Sequence, residues 1–208
     1  MNLRIINQEQ VESLLTMEAC IGAMEDVLRA LAEGDCDLPL RRIMWLPEKI
    51  GALGLMPAYW GSRGIIGLKA VTYFPGNEGT DQDTHQGAVL LYEAKRGRLM
   101  AMVDATSITA IRTAAVSGVA TKLLARRDAS RLAIIGSGVQ AGTHLSAMRI
   151  CRNIKHVRVC SKTPDRAEAF AESQSASHPM PIKAVPSVAD AVDGAVISCT
   201  TTSANEPV

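Results

Sequence analysis

The stretch RLAIIGSGVQAG, residues 131–142, constrains this chain more than any other. Leu132–Ile135 is a short unbroken apolar run, the pattern of a strand buried on both faces. Gly136-Ser137-Gly138-Val139-Gln140-Ala141 follows as G-x-G-x-x-A, and Val139–Ile150 continues with helical spacing. A glycine turn joining a buried strand to a helix predicts a β-α-β unit on a parallel sheet. Gly136 permits the tight turn, Gly138 leaves the backbone open to close approach, and Ala141 is small enough for helix-on-strand packing. The free N–H groups at the helix start form a phosphate cradle. In this context the run reads as a dinucleotide fingerprint.

The rest of the C-terminal half keeps the alternation. Val157–Cys160 predicts a strand, Pro164–Ser173 a helix opened by proline, Ile182–Val185 a weak strand, Val188–Val192 a short helix and Val196–Cys199 a further strand. The second strand ends Cys160-Ser161-Lys162-Thr163, where an NAD site usually carries an acid for the ribose 2′-hydroxyl. Two hydroxyls, with Lys162 and Arg166 nearby, suit a 2′-phosphate better. NADP(H) is therefore preferred over NAD(H) as the expected cofactor.

The N-terminal half has another texture. Leu3–Ile6 predicts a strand, and Asn7 with Gln10 a capping box. A second helix starts at Thr16, with Ile21, Met24, Val27, Leu28 and Leu31 in helical period, and ends at Gly34. Arg42–Leu46, Ala52–Met56, Ile65–Tyr73, Ala88–Tyr92 and Leu99–Val103 predict a mostly antiparallel sheet. Asp104 then caps a long helix containing ITAIRTAAVSGVATKLL, residues 108–124. The expected fold is α/β, with an α+β domain over 1–115 and an incomplete Rossmann domain, a doubly wound parallel sheet, over 116–208.

Composition excludes several partners. A net charge of +1 and 3% aromatic content argue against nucleic acid. No apolar run reaches the roughly 18–20 residues of a membrane helix, and MNLRIINQEQ lacks the apolar core of a signal peptide. Five cysteines without a C-x-x-C pair read as reduced thiols in the cytoplasm. His85 follows the acids of GTDQDT, but the spacing fits no metal motif and it reads as a solvated loop residue; His178 reads as isolated. No metal is expected.

Cations in apolar settings remain. Arg112 lies inside Ala-Ile-Arg-Thr-Ala-Ala, Lys69 inside GIIGLKAVTYF, and Arg41 and Arg42 inside LPLRRIMWL. Burying an unpaired guanidinium costs several kcal/mol, so Arg112 needs an anion, either an acid of its own domain or a ligand. Lys69 either snorkels from an edge strand or faces a ligand. Converging, these cations would grip a small carboxylate.

LMPAY, GLKAVTYFPGN, DATSITAIRTAAVSG and LAIIGSGVQAG, in this order, resemble the ornithine cyclodeaminase/μ-crystallin family, and the likeness runs through nearly the whole chain. The resemblance implies a homodimer built through the first domain and a nicotinamide cofactor in the second. It implies a substrate carboxylate held by Arg41, Lys69 and Arg112, with Met56 beside it and Lys69 as the catalytic residue. Thr84, Arg112, Thr113, Gly136, Gly138, Val139, Gln140, Ser161, Lys162 and Thr163 would line the cofactor, with Thr200 and Thr201 beside its nicotinamide half. The implied activity is NAD(P)H-dependent oxidoreduction of a small imino or amino acid. The alternatives are an ornithine cyclodeaminase-type ammonia lyase and a non-catalytic holder of NADPH and a small acid. Cyclodeaminases place an acid two residues before the Met of the M-P pair, where this chain has Gly54. The family's chains are longer, and their catalytic Asp and remaining Rossmann strands would lie beyond Val208. A polypeptide of these 208 residues alone is expected to show little or no catalysis.

Overall fold

A computed structural model describes residues 3–204 and 206–208. The chain divides into two compact units, Met1–Thr16 with Glu25–Thr109, and Met17–Met24 with Ala110–Val208. The division falls inside two helices, α2 (Met17–Ala32) and α3 (Ala105–Leu124).

The first unit is built on a seven-stranded sheet. Its strands are β1 (Arg4–Ile6), β2 (Cys36–Asp37), β3 (Arg42–Trp45), β4 (Ala52–Trp60), β5 (Ile65–Tyr73), β6 (His85–Glu93) and β7 (Arg98–Asp104), with α1 (Gln8–Leu14) after β1. The order is β1-β7-β6-β5-β4-β2, with β3 also on β4. Every pairing is antiparallel except that of β1 with β7. Turn and cap chemistry sets the boundaries. Asn7 and Gln10 form the reciprocal capping box of α1. At the end of α2, Gly34 takes φ +78°, with Gly34 N–H bonded to Leu31 O and Asp35 N–H to Ala30 O. That is a complete Schellman cap. The Asp104 carboxylate accepts from the N–H groups of Thr106 and Ser107 and so opens α3.

β4 runs on through Pro57 to Trp60, beyond the expected end at Met56. β3 flanks residues 52–55 and β2 flanks 59–60, so Pro57 has a pairing strand on the β5 side only. A missing N–H is tolerated at such a local edge. In α2 the buried residues are Cys20, Ile21 and Ala30, while Leu28 and Leu31 are exposed.

The second unit alternates strand and helix: β8 (Arg131–Ile135), α4 (Val139–Cys151), β9 (His156–Cys160), α5 (Pro164–Ser177), β10 (Ile182–Ala184), α6 (Val188–Val192) and β11 (Ile197–Thr200). All pairings are parallel in the order β10-β9-β8-β11. This is the 3-2-1-4 arrangement of a Rossmann sheet, with its switch point between β8 and β11. Leu132, Ile134, Leu145, Met148, Val157 and Val159 are all less than 2% exposed and form the core. The Arg152 guanidinium donates to the carbonyls of Lys122, Ala125, Arg126 and Cys151, closing the C-terminal end of α3. Among the described residues no helix is long and apolar enough to cross a membrane.

Candidate functional site

The glycine loop occupies the switch point. Gly136 takes φ +114°, and a Cβ there would stand 2.6 Å from the Thr201 carbonyl oxygen. Thr201 is fixed in turn, since its N–H and its hydroxyl both donate to Ile135 O, at 2.7 and 3.0 Å. Gly138 is the N-cap of α4 in extended conformation, and a Cβ there would meet nothing within 4 Å. One glycine is thus demanded by the protein's own packing. The other faces open space above a helix N-terminus whose first turn carries no acid. Val139 is exposed. The Gln140 side-chain oxygen is buried and has no hydrogen-bond partner among the described residues. An open cradle with an orphaned acceptor fits a dinucleotide pyrophosphate and its ribose hydroxyls.

The end of β9 stands beside this loop. The Ser137 hydroxyl donates to Ser161 Oγ at 3.1 Å, tying the loop to the second strand. Lys162 is exposed, and Thr163 is the N-cap of α5. Thr200 ends β11 and pairs with Ile135.

One turn into α4, His144 is buried between polar partners. Its Nδ1 lies 2.7 Å from the Gln140 carbonyl, which can only accept, so the neutral ring carries its proton there. Nε2 then accepts from the Ser117 hydroxyl of α3 at 3.1 Å. Burial holds this imidazole below its ordinary pKa, with the Gln140 carbonyl offsetting part of the effect. The sequence offered no periodic signal for the pair, since 27 residues separate the partners. Arg112, in the same unit, is half-buried. Burial raises the Cys20 thiol, and the Arg112 charge draws it partly back. Thr113, next in α3, is half-buried, and the Ser117 hydroxyl lies 3.4 Å from its carbonyl.

In the first unit, register defines a second candidate surface. Met56 pairs with Lys69, Gly54 with Val71, and Tyr73 with His85. Paired and alternate residues share a face, so Gly54, Met56, Lys69, Tyr73 and His85 all lie on one side of the sheet. Lys69 is half-buried, and its ammonium donates to Thr109 Oγ1 of α3 at 3.3 Å. Lys69 sits in a central strand, between β4 and β6, so it does not snorkel from an edge. Arg42 pairs with Leu55 and faces the other way, whereas Arg41 lies one residue before β3 and is exposed. Thr84 precedes β6, with its hydroxyl 3.1 Å from His85 Nδ1.

Two histidines depart from expectation. His85 is the first residue of β6 rather than a loop residue, and its ring stands 4.8 Å from that of Tyr73. Burial, then the Lys69 charge, hold its imidazole below the ordinary value. The alternation His85-x-Gly87-x-Val89 was the available signal. His178 is not isolated, since Arg149 donates to its Nδ1 at 2.7 Å. All five cysteines are free, and burial pushes the Cys199 thiol up to about 11.

The sheet order and the glycine loop define a Rossmann-type dinucleotide-binding unit; the other unit is a mixed sheet with a lysine on one face. The chain belongs to the ornithine cyclodeaminase/mu-crystallin family, whose model matches residues 2–208. It is 37% identical over 176 residues to the ketimine reductase mu-crystallin of Mus musculus, covering 85% of this chain and 55% of the relative. Its fold matches that of Thermococcus litoralis Delta(1)-pyrroline-2-carboxylate reductase in complex with NADH and L-proline, at TM-score 0.94 and 35% identity, over 99% of this chain and 64% of that one. It also matches an archaeal alanine dehydrogenase dimer with bound NAD, at TM-score 0.91 and 31% identity, over 100% and 63% of the two chains. The chain thus spans less than two thirds of the length of these relatives.

Proposed function

We propose that this chain supplies the dinucleotide cradle and substrate-facing sheet of an NAD(P)H-dependent reductase of small 2-imino acids. The observation that carries the reading is the contrast within the glycine loop, where Gly136 is packed against Thr201 and Gly138 stands open. When bound, the reduced nicotinamide supplies a hydride to the imine carbon. The nitrogen takes a proton, and the C=N bond becomes a C–N single bond. Gly136, Gly138, Val139 and Gln140 would hold the pyrophosphate, with Thr84, Arg112, Thr113, Thr200 and Thr201 along the remainder. Arg112 and Arg41 would each bear on the substrate carboxylate, with Met56 against the substrate carbons. Lys69 would bind the same carboxylate and deliver the proton to nitrogen. Ser161, Lys162 and Thr163 favour a 2′-phosphate, hence NADPH over NADH.

Gly54 narrows the substrate. It lies on the Lys69 face, where even an added Cβ would stand 3.3 Å from the Met56 methyl. No acid stands at this position to take a cationic side chain, which favours a short, uncharged imino acid over ornithine. A homodimer is supported by Leu40, Ile43, Met44 and Trp45, all exposed apolar residues at β3. The five free thiols support a reducing, cytoplasmic setting.

The test is a fluorescence titration with NADPH and NADH, followed by one with Delta(1)-pyrroline-2-carboxylate. NADPH binding more tightly than NADH is expected. Equal or reversed affinities would overturn the 2′-phosphate assignment, and binding of neither would overturn the reading of the loop. Arg112→Ala should weaken binding of Delta(1)-pyrroline-2-carboxylate at least tenfold; unchanged binding would remove Arg112 from carboxylate binding.

A further inference from the structure

The end of the parallel sheet opposite the glycine loop carries a concentration of positive charge that dinucleotide binding does not use. β8 and β9 pair Arg131 with His156 and Ala133 with Arg158, and β9 and β10 pair Arg158 with Lys183. Paired residues, and alternate residues along a strand, project from the same face. Arg131, His156, Arg158 and Lys183 therefore all stand on one face, the one on which Ala133 packs against Ala191 of α6. Adjacent strands lie about 4.8 Å apart, and like charges set opposite each other are destabilising. Arg158 and Lys183 are one such pair, and Arg131 stands on the same face of the next strand.

The chain itself engages only Arg158. Arg158 donates to the carbonyls of Asp190 and Asp193, at 2.7 and 3.0 Å, and lies 3.5 Å from the Asp193 carboxylate. The side chains of Arg131, His156 and Lys183 have no hydrogen-bond or ion-pair partner among the described residues. They line a groove of about 520 Å3 whose one carboxylate is Asp193. Arg131, Arg158 and Lys183 less Asp193 leave an excess of two positive charges at neutral pH. A phosphate monoester carries about −1.5 to −2 charges there and offers three acceptor oxygens. Guanidinium forks and an ammonium are the usual phosphate-binding set. The cavity exceeds the volume of a bare phosphate, and Pro181 adds an apolar wall for carbon.

We propose that this groove is a second ligand site, distinct from the dinucleotide cradle, and that it takes a small organic phosphate. Phosphate binding relieves the repulsion between the paired cations, so site occupancy and stability of the sheet rise together.

The experiment follows the His156 ring resonances of the full chain by NMR as ribose 5-phosphate is added. Parallel titrations use succinate and sodium chloride at matched ionic strength. A saturable shift with ribose 5-phosphate is expected, weakened at least tenfold in Lys183→Gln and in Arg131→Gln. Lys155→Gln, which removes a neighbouring lysine outside the groove, should leave it unchanged. A shift no different from that in sodium chloride, or one unaltered in both groove variants, would overturn the site. An equal response to succinate would overturn the phosphate assignment.

Discussion

Replacing each loop glycine with alanine separates the fold from the ligand site. At Gly136, alanine would have to hold φ +114°, a conformation that costs an L-residue on the order of 1–3 kcal/mol. Its Cβ would stand 2.6 Å from Thr201 O and 2.8 Å from Thr201 C, and both are backbone atoms. Relief requires Thr201 to move, which strains its two hydrogen bonds to Ile135 O. Each of those is worth about 0.5–1.5 kcal/mol net. The sum is about 4 kcal/mol, a large share of a total stability of about 5–15 kcal/mol. With a urea slope of about 2 kcal/mol per molar, the midpoint should fall by about 2 M. Gly138 is the opposite case. Its φ −88° and ψ −169° suit alanine, and the new Cβ meets no protein atom. Gly138→Ala should therefore change stability by less than about 1 kcal/mol, because the freedom removed from the unfolded chain offsets alanine's poorer fit at a helix N-cap. Its methyl instead projects into the cradle and should weaken dinucleotide binding at least tenfold. Urea melts and NADH titrations of both variants check the pair. A Gly136→Ala midpoint within about 0.5 M of the parent would refute the packing argument, and unchanged NADH binding by Gly138→Ala would refute the cradle.

Arg152→Met should destabilise the second unit by about 1–3 kcal/mol, because it strips four carbonyl acceptors near the ends of α3 and α4 of their shared donor; a urea melt indistinguishable from the parent would refute the cap. His144 predicts an acid-side loss of stability. Its folded pKa is depressed, so the unfolded chain binds the extra proton first, and stability is full above an unfolded pKa of about 6.5 and falls below it. His85 and His178 are depressed too and add to the slope. His144→Asn should flatten the profile of melting temperature against pH between about 6.5 and 5, and an unaltered profile would remove His144 from the slope.

What the sequence disclosed depended on how locally each feature is encoded. A parallel strand buried on both faces writes itself as an unbroken apolar run, which is why LAII and its glycine turn could be placed from residue types alone. Caps are equally local: Asn7, Gly34 and Asp104 act within a few residues of where they stand. β2, two residues long, has no pattern of its own and exists because β4 offers an edge. Pro57 looks like a strand end until the gap between β3 and β2 shows that its missing N–H deprives no neighbour. Lys69 could be named from its apolar surroundings, but its place in a central strand is a fact of sheet order. His85, His144 and His178 each take their character from a partner on another element: Tyr73 and Lys69, Ser117, Arg149. The basic groove is the extreme case. Arg131, His156, Arg158 and Lys183 look like scattered surface charges along the chain, and only the register of β8, β9 and β10 sets them side by side. A one-residue slip would move His156 and Arg158 to the opposite face, into the core positions of Val157 and Val159. The apolar alternation that forbids that slip is therefore what assembles the charge.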